Sequence, residues 1–218
     1  MTFYFGDILY PYLGALLRAL GTSVFITVLS FFIGAVLGIF IYFGRTSRVG
    51  ALRVVTVGYI EIFRNTPLLV QLYLIYFGLP EIGLNFNPLW ATLIGMTLNN
   101  SAYTAEIFRS GIDAVPDGLR EAGSALGLRF HQIFLHVVLK PAIRNVLPAL
   151  TNQFIVLFLF SSVGSVISLN ELTNLMEQLT SQTNRVLEVF TIGGVMYYLA
   201  STIIARASGL AERLLFRW

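Results

Sequence analysis

Charged side chains are absent from four stretches of the chain, residues 19–44, 82–105, 145–170 and 189–205. A helix crossing the hydrocarbon of a bilayer needs about 20 predominantly apolar residues. Each stretch therefore predicts a spanning helix, the last only just long enough. A fifth stretch, residues 54–79, carries Glu61 and Arg64. Their spacing puts them on one helical face, where they can neutralise each other or lie near the headgroups. The reading is an all-α membrane protein with a single domain over residues 1–218 and five spans, 19–43, 54–79, 86–108, 145–169 and 188–206.

Between the third and fourth spans lies a polar loop, residues 109–144, whose pattern changes to short amphipathic segments. Val115-Pro116-Asp117-Gly118 reads as a helix start, since Pro is pre-organised for the first turn and Asp favours the positive end of the helix dipole. Leu119, Ala122 and Leu126 then recur at helical spacing, with Arg120, Glu121 and Ser124 on other faces, until Gly127 supplies a stop. A second segment, residues 130–139, mixes Phe130, Ile133, Phe134 and Val137 with His131, Gln132 and His136 before Pro141. Two short helices along the membrane surface are predicted. Anchoring of the loop is the plainer use of such helices. With its flanks, residues 106–144, the loop also holds nine of the 25 charged residues, which makes it the natural place for a partner to dock.

Composition confirms the solvent. The 218 residues are 56% hydrophobic and 11% charged, with a mean hydropathy of +0.76, and a soluble fold of this size cannot hide so much apolar surface. The net charge of +3 would suit nucleic acid only if the cations clustered on a soluble face, which they do not. They mark orientation instead. Arg45, Arg48 and Arg53 occupy the first loop, Arg109, Arg120, Arg129, Lys140 and Arg144 the third, and Arg206, Arg213 and Arg217 the tail. The opposite side carries Arg18 and Arg185 with Asp7, Glu81, Glu171, Glu177 and Glu188. The N-terminus is thus expected outside and the C-terminus in the cytoplasm. No basic flank and apolar core mark a removable signal peptide at the start, so insertion is expected to rest on internal spans.

The chain has no Cys, two His and one Lys. Thiolate chemistry and disulfides are excluded, and a His-built metal centre is not expected. Leu139 precedes Lys140 and Pro141 follows it, so a phosphate-binding Gly-x-x-x-x-Gly-Lys-Ser/Thr loop cannot be written. If ATP powers this protein, another chain hydrolyses it.

Glu121-Ala122-Gly123, three residues, Gly127 and a hydrophobic segment ending Val137-Val138-Leu139 resemble the Glu-Ala-Ala loop of inner-membrane permease subunits of ATP-binding cassette importers. The stretch from Glu61-Ile62-Phe63-Arg64 through Asn65-Thr66-Pro67 to Gln71 is similar to the second-helix signature of the polar amino acid branch of that family. Tyr103-Thr104-Ala105-Glu106-Ile107-Phe108-Arg109-Ser110-Gly111-Ile112 resembles the end of its third helix. The likeness covers residues 22–217. It implies a type I importer permease in the cell (inner) membrane, with no catalytic residue or cofactor of its own. ATP and Mg would sit on two partner ATPase subunits, and an extracytoplasmic amino acid-binding protein would deliver substrate.

By the same resemblance Glu121, Ala122, Gly123 and Gly127 form the coupling helix and its turn, with Glu121 making polar contact in a cleft of the ATPase. Gly123 stands where the family usually has Ala, at a small cost in helix propensity. Lys140-Pro141 places the Pro one residue later than the family does, so the second loop helix is expected to end one residue later. Glu-Ile-Phe-Arg occurs at both 61–64 and 106–109, and reads as two segments that each need a Glu to Arg bridge near the cytoplasmic boundary.

Polar side chains within spans are costly in lipid and mark either packing or a path. Asn99, Asn100 and Tyr103 in the third span and Ser161 and Ser162 in the fourth are the candidate substrate path, Asn99 and Tyr103 sharing a face. Many amino acid permeases place a Lys before Asn or Asp, Thr and Ser in the fourth helix, where this chain reads Leu159-Phe160-Ser161-Ser162. That departure implies a second, non-identical permease chain holding the ligand's charges, or recognition mainly by the external binding protein. An intramembrane serine protease using Ser161, Ser162 or Ser165 lacks a His within a span to act as base. An ion-coupled carrier or channel remains the alternative, although it should place an acid in mid-bundle, and Glu61 and Glu106 both fall near the cytoplasmic boundary.

Overall fold

The computed structural model describes residues 5–215, with side chains for residues 5–210. Among them are helices and no strand: α1 (Gly6–Arg45), α2 (Gly50–Asn65), α3 (Leu68–Tyr73), α4 (Pro88–Asp113), α5 (Asp117–Ala125), α6 (Phe130–Gln132), α7 (Leu139–Phe160), α8 (Leu172–Thr183) and α9 (Val186–Leu215). Residues 1–4 of the leader reading, Arg217, and the side chain of Arg213 lie outside this description.

Helix α4 is the centre. Asn87 caps it, its side chain accepting from the Trp90 N–H at 2.9 Å, and Pro88 opens its first turn. Its polar side chains Thr92, Thr97, Asn99, Asn100, Ser101 and Thr104 are all buried. They face protein because α1, α2 and α7 pack around it. The closest approach is to α1, along a seam of Ser30, Gly34 and Gly38: a methyl group on Gly34 would lie 3.0 Å from the Thr97 carbonyl oxygen, and one on Gly38 3.0 Å from that of Ser101. Small residues four apart let two backbones touch where lipid gives no hydrophobic drive for association. The outer face of α1 meanwhile exposes Phe25, Phe32, Val36 and Phe40, as a lipid-facing surface would.

Among the described residues three helices are long and apolar enough to cross a membrane: Gly6–Arg45, Phe130–Ile167 and Val186–Leu210. Several boundaries differ from the expected spans. Helix α1 begins at Gly6, so its 40 residues extend about 60 Å, twice the hydrocarbon thickness of about 30 Å. Its added turns pack Ile8 and Leu16 on Leu172, Met176 and Leu179 of α8 and Val189 of α9, an apolar cluster at the expected outer end. Helix α8 was not foreseen, because its mixed composition resembles a polar connection.

The second span is broken. Helix α2 stops at Asn65, Thr66 is extended (φ −117°, ψ 140°), and Pro67 starts α3, which runs on through a π turn at Leu74–Gly78 and a 3-10 turn at Leu79–Ile82. A residue before proline is pushed out of the helical region, which fixes the place of the break. The second loop helix, conversely, does not end near Pro141. A π turn, Ile133–Val138, joins α6 to α7 without interruption. The widened turn accommodates a proline that would otherwise clash with the carbonyl four residues earlier.

Candidate functional site

Breaking a helix inside a packed bundle strands backbone carbonyls, each costly unless given a donor. The break between α2 and α3 is closed by three side chains. Gln71 Nε2 donates to the carbonyls of Phe63 (3.0 Å) and Thr66 (3.1 Å) and to Thr66 Oγ1 (2.9 Å). Asn99 Nδ2 donates to the Phe63 carbonyl at 3.2 Å and to Gln71 Oε1 at 3.1 Å. The Tyr103 hydroxyl donates to the Arg64 carbonyl at 3.4 Å. The shared face of Asn99 and Tyr103 is thus turned to the broken end of α2.

Asn100 is fully buried on another face, donating to the Phe31 carbonyl of α1 (3.2 Å) and accepting from Gln153 of α7 (3.1 Å). Ser161 and Ser162 lie apart from these amides, on the 3-10 turn that ends α7, and donate to the carbonyls of Phe158 and Leu159 at 2.7 Å. Among the candidate path residues Tyr103 lines an open cavity, of about 640 Å³, with Arg64, Glu106, Ser110, Arg144, Asn145 and Pro148.

Glu106 gathers the charges at this end of the bundle. It accepts from Arg45 Nη1 of α1 at 2.7 Å and from Arg109 Nε at 2.8 Å, and Arg64 Nη1 of α2 stands 3.9 Å away. Arg109 also pairs with Asp113 at 2.7 Å. The expected Glu61 to Arg64 bridge is not made: Glu61 is exposed, and Arg64 turns to Glu106 and lies over the Tyr103 ring, 5.6 Å from its centroid. The two Glu-Ile-Phe-Arg segments are joined by their crossed members.

Helix α5 ends as its sequence predicts. Gly127 takes φ +75°, the Leu128 N–H donates to the Gly123 carbonyl (3.1 Å), and the Gly127 N–H donates to that of Ser124 (3.0 Å). This pair of bonds is the glycine stop that satisfies a helix's last carbonyls. Gly123 faces inward, where a methyl group would lie 3.1 Å from Ile133 Cγ1. The Gly for Ala departure therefore brings α5 down onto the π turn. Glu121 and Ala122 face out, beside Leu126 (80% exposed) and Phe130 (86% exposed). The Arg120 guanidinium donates to the Ile112 carbonyl at 3.2 Å, tying α5 to the end of α4.

Glu171 was not singled out by its sequence, although an acid directly before a helix is a capping signal. It is fully buried and caps α8, accepting from the N–H groups of Thr173 (2.9 Å) and Asn174 (2.8 Å), from Tyr197 Oη of α9 (2.9 Å) and from Ser23 Oγ of α1 (3.3 Å). Burial pushes its carboxyl above the ordinary value, against the pull of these donors. Among the described residues no group of three or more His, Asp or Glu is placed to hold a metal ion.

Residues 34–217 match the family model described as binding-protein-dependent transport system inner membrane component. The octopine transport system permease protein of Rhizobium radiobacter is 36% identical, over 91% of this chain and 84% of that protein. The arginine transport system permease protein of Bacillus subtilis (strain 168) is 33% identical over 93% of each. The glutamine transport system permease protein of Escherichia coli (strain K12) is 32% identical, over 90% of this chain and 91% of that one. The crystal structure of an amino acid ABC transporter with histidines contains a chain that superposes with a TM-score of 0.93 at 36% identity, covering 98% of this chain and 99% of its own length. An inward-facing methionine ABC transporter chain shares the fold, with a TM-score of 0.76 at 22% identity.

Proposed function

The chain belongs to the family of inner membrane components of binding-protein-dependent transport systems, and from that premise we propose that it is the permease subunit of an ATP-driven amino acid importer. Relatives named for octopine, arginine and glutamine, each matched over most of its length, support the substrate class. The chain provides a membrane path and no catalytic residue. One of two ATPase subunits, which carry ATP and Mg, docks on α5, and an extracytoplasmic binding protein delivers the solute. In this reading the chain crosses the membrane five times, with the break between α2 and α3 inside the second crossing. Its N-terminus lies outside and its C-terminus in the cytoplasm.

One observation carries the coupling role. Helix α5 is seated on the π turn through Gly123, closed by Gly127, and tied to α4 through Arg120, while Glu121 and Ala122 remain free to meet another protein. A knob held this firmly can pass a push from an ATPase to α4 and α7. The substrate path is proposed along α4, with Tyr103 on its wall and Asn99 and Asn100, buried behind it, holding α4 to α2, α1 and α7. Ser162 stands toward its outer end, with Ser161 buried beside it. The third and fourth spans carry no charge over residues 82–105 and 145–170, and a second, non-identical permease chain supplies the ligand's charged contacts there. Glu121→Lys and Gly127→Leu should leave the chain inserted while reducing ATPase co-purification and substrate-stimulated hydrolysis. Normal values for both would leave α5 as a surface anchor.

A further inference from the structure

The cavity beside Glu106 has chemistry that the coupling role does not use. Its walls come from the end of α2 (Arg64), the last turns of α4 (Tyr103, Glu106, Ser110) and the start of α7 (Arg144, Asn145). Its volume, about 640 Å³, is in the range of about 300–1,000 Å³ typical of small-molecule sites. Four guanidiniums, those of Arg45, Arg64, Arg109 and Arg144, line it or meet its acid, against the two carboxylates of Glu106 and Asp113. Glu106 is engaged most closely by Arg45 and Arg109, which leaves Arg64 at 3.9 Å. The exposed Arg144 has no ion pair among the described residues. The Ser110 hydroxyl adds a donor on the same wall, beside the Tyr103 hydroxyl that donates to the Arg64 carbonyl.

We infer that this cavity is a carboxylate-binding vestibule at the cytoplasmic end of the path, where the transported solute pauses before release. The inference rests on the importer reading. Arginine's planar fork suits a carboxylate in two-point contact. Arg64 can turn from Glu106 to an incoming anion because its present contact is long and its guanidinium is braced by the Tyr103 ring. Glu106, held by Arg45 and Arg109, is already neutralised, so the cavity favours the solute's carboxylate. A phospholipid phosphate shares the anionic chemistry and is the competing source.

Absence of native Cys makes the test direct. Ser110→Cys would be placed in the chain assembled with its ATPase in lipid nanodiscs, and modification of this one thiol followed by mass spectrometry with a sulfonate-bearing and a trimethylammonium-bearing thiosulfonate. The anionic reagent should react about tenfold faster relative to the cationic one than it does at Ser124→Cys on exposed α5, two nearby cations contributing about threefold each in a watery site. Adding Arg64→Gln or Arg144→Gln should cut that preference about threefold. A millimolar mixture of common amino acids should slow labelling, and the matching amino acid amides should not. Absence of any charge preference overturns the vestibule. Slowing by phosphatidylglycerol in place of amino acids reassigns the site to lipid and also overturns it. If the complex with native Ser110 imports amino acids that never slow labelling, the vestibule falls and the importer reading stands. If it imports none and none slows labelling, both fall.

Discussion

Replacing Gly34 by Ala places a methyl group where α1 and α4 touch. The new Cβ would lie 2.7 Å from Asn100 Nδ2, 3.0 Å from the Thr97 carbonyl oxygen and 3.1 Å from Asn100 Cβ, where ordinary contact begins at 3.4 Å. Asn100 cannot simply move aside, because it bonds both Phe31 and Gln153, and the Thr97 oxygen belongs to a helix backbone. Overpacking of this kind costs about 1–3 kcal/mol, and each interhelical amide bond loosened in a membrane protein adds about 0.6 kcal/mol. The better helix propensity of Ala returns about 1 kcal/mol. The net expectation is a loss of about 2 kcal/mol. Gly21→Ala, on the same helix with nothing within 4 Å of the new methyl, should be neutral or gain up to about 1 kcal/mol. Denaturation of the purified chain in mixed detergent and dodecyl sulfate micelles measures both. Equal stability of the two variants would refute the claim that the α1 to α4 seam is closed to a methyl group.

Gln71→Leu leaves the broken end of α2 without its main donor and should cost about 1–2 kcal/mol; Asn99→Leu should cost less. A double-mutant cycle should show coupling of about 0.5 kcal/mol or more through their shared bond, and strict additivity would contradict the clamp. Glu171→Ala should destabilise the packing of α1, α8 and α9 markedly, whereas Glu171→Gln keeps an acceptor and should be milder. Because burial raises the folded-state value of this carboxyl, the folded chain holds the proton more tightly than the unfolded one. Its stability should therefore fall as pH rises from the ordinary carboxylate value through the raised one, and Glu171→Gln should remove that slope when denaturation midpoints are compared across about pH 4–8. A Cys at exposed Asn85 should react with an impermeant thiol reagent on intact cells, and one at Ser124 only after the cells are opened. Labelling at position 124 from outside would reverse the orientation.

Charge-free runs located the apolar stretches because lipid exposure imposes one rule along a whole helix. Pattern and turn chemistry together located α5, since Asp117 and Gly127 act within a few residues. Features that depend on a distant partner were less legible. Thr66-Pro67 marks a break only if the stranded carbonyls find donors, and Gln71 and Asn99, 28 residues apart, supply them together. Glu61 and Arg64 are correctly spaced for a helical pair, yet Glu106 offers Arg64 a site already organised by two other guanidiniums. Pro141 looked like a stop because the π turn that accommodates it leaves no local signature. The Gly34 to Gly38 spacing was visible, but its meaning depends on the polar face of α4 that it meets. Conversely, the resemblance of residues 61–71 and 103–112 pointed to the right family before any geometry explained why those residues are needed: they close the break and build the Glu106 cluster.

The importer account is tested most directly by uptake into sealed proteoliposomes containing this chain, its partner permease and ATPase subunits, with binding protein and radiolabelled amino acids on the outside. Uptake should require ATP within the lumen, on the same side as α5, should persist when proton and sodium gradients are collapsed by ionophores, and should stop with Glu121→Lys. Uptake that follows an imposed ion gradient without ATP would contradict the account.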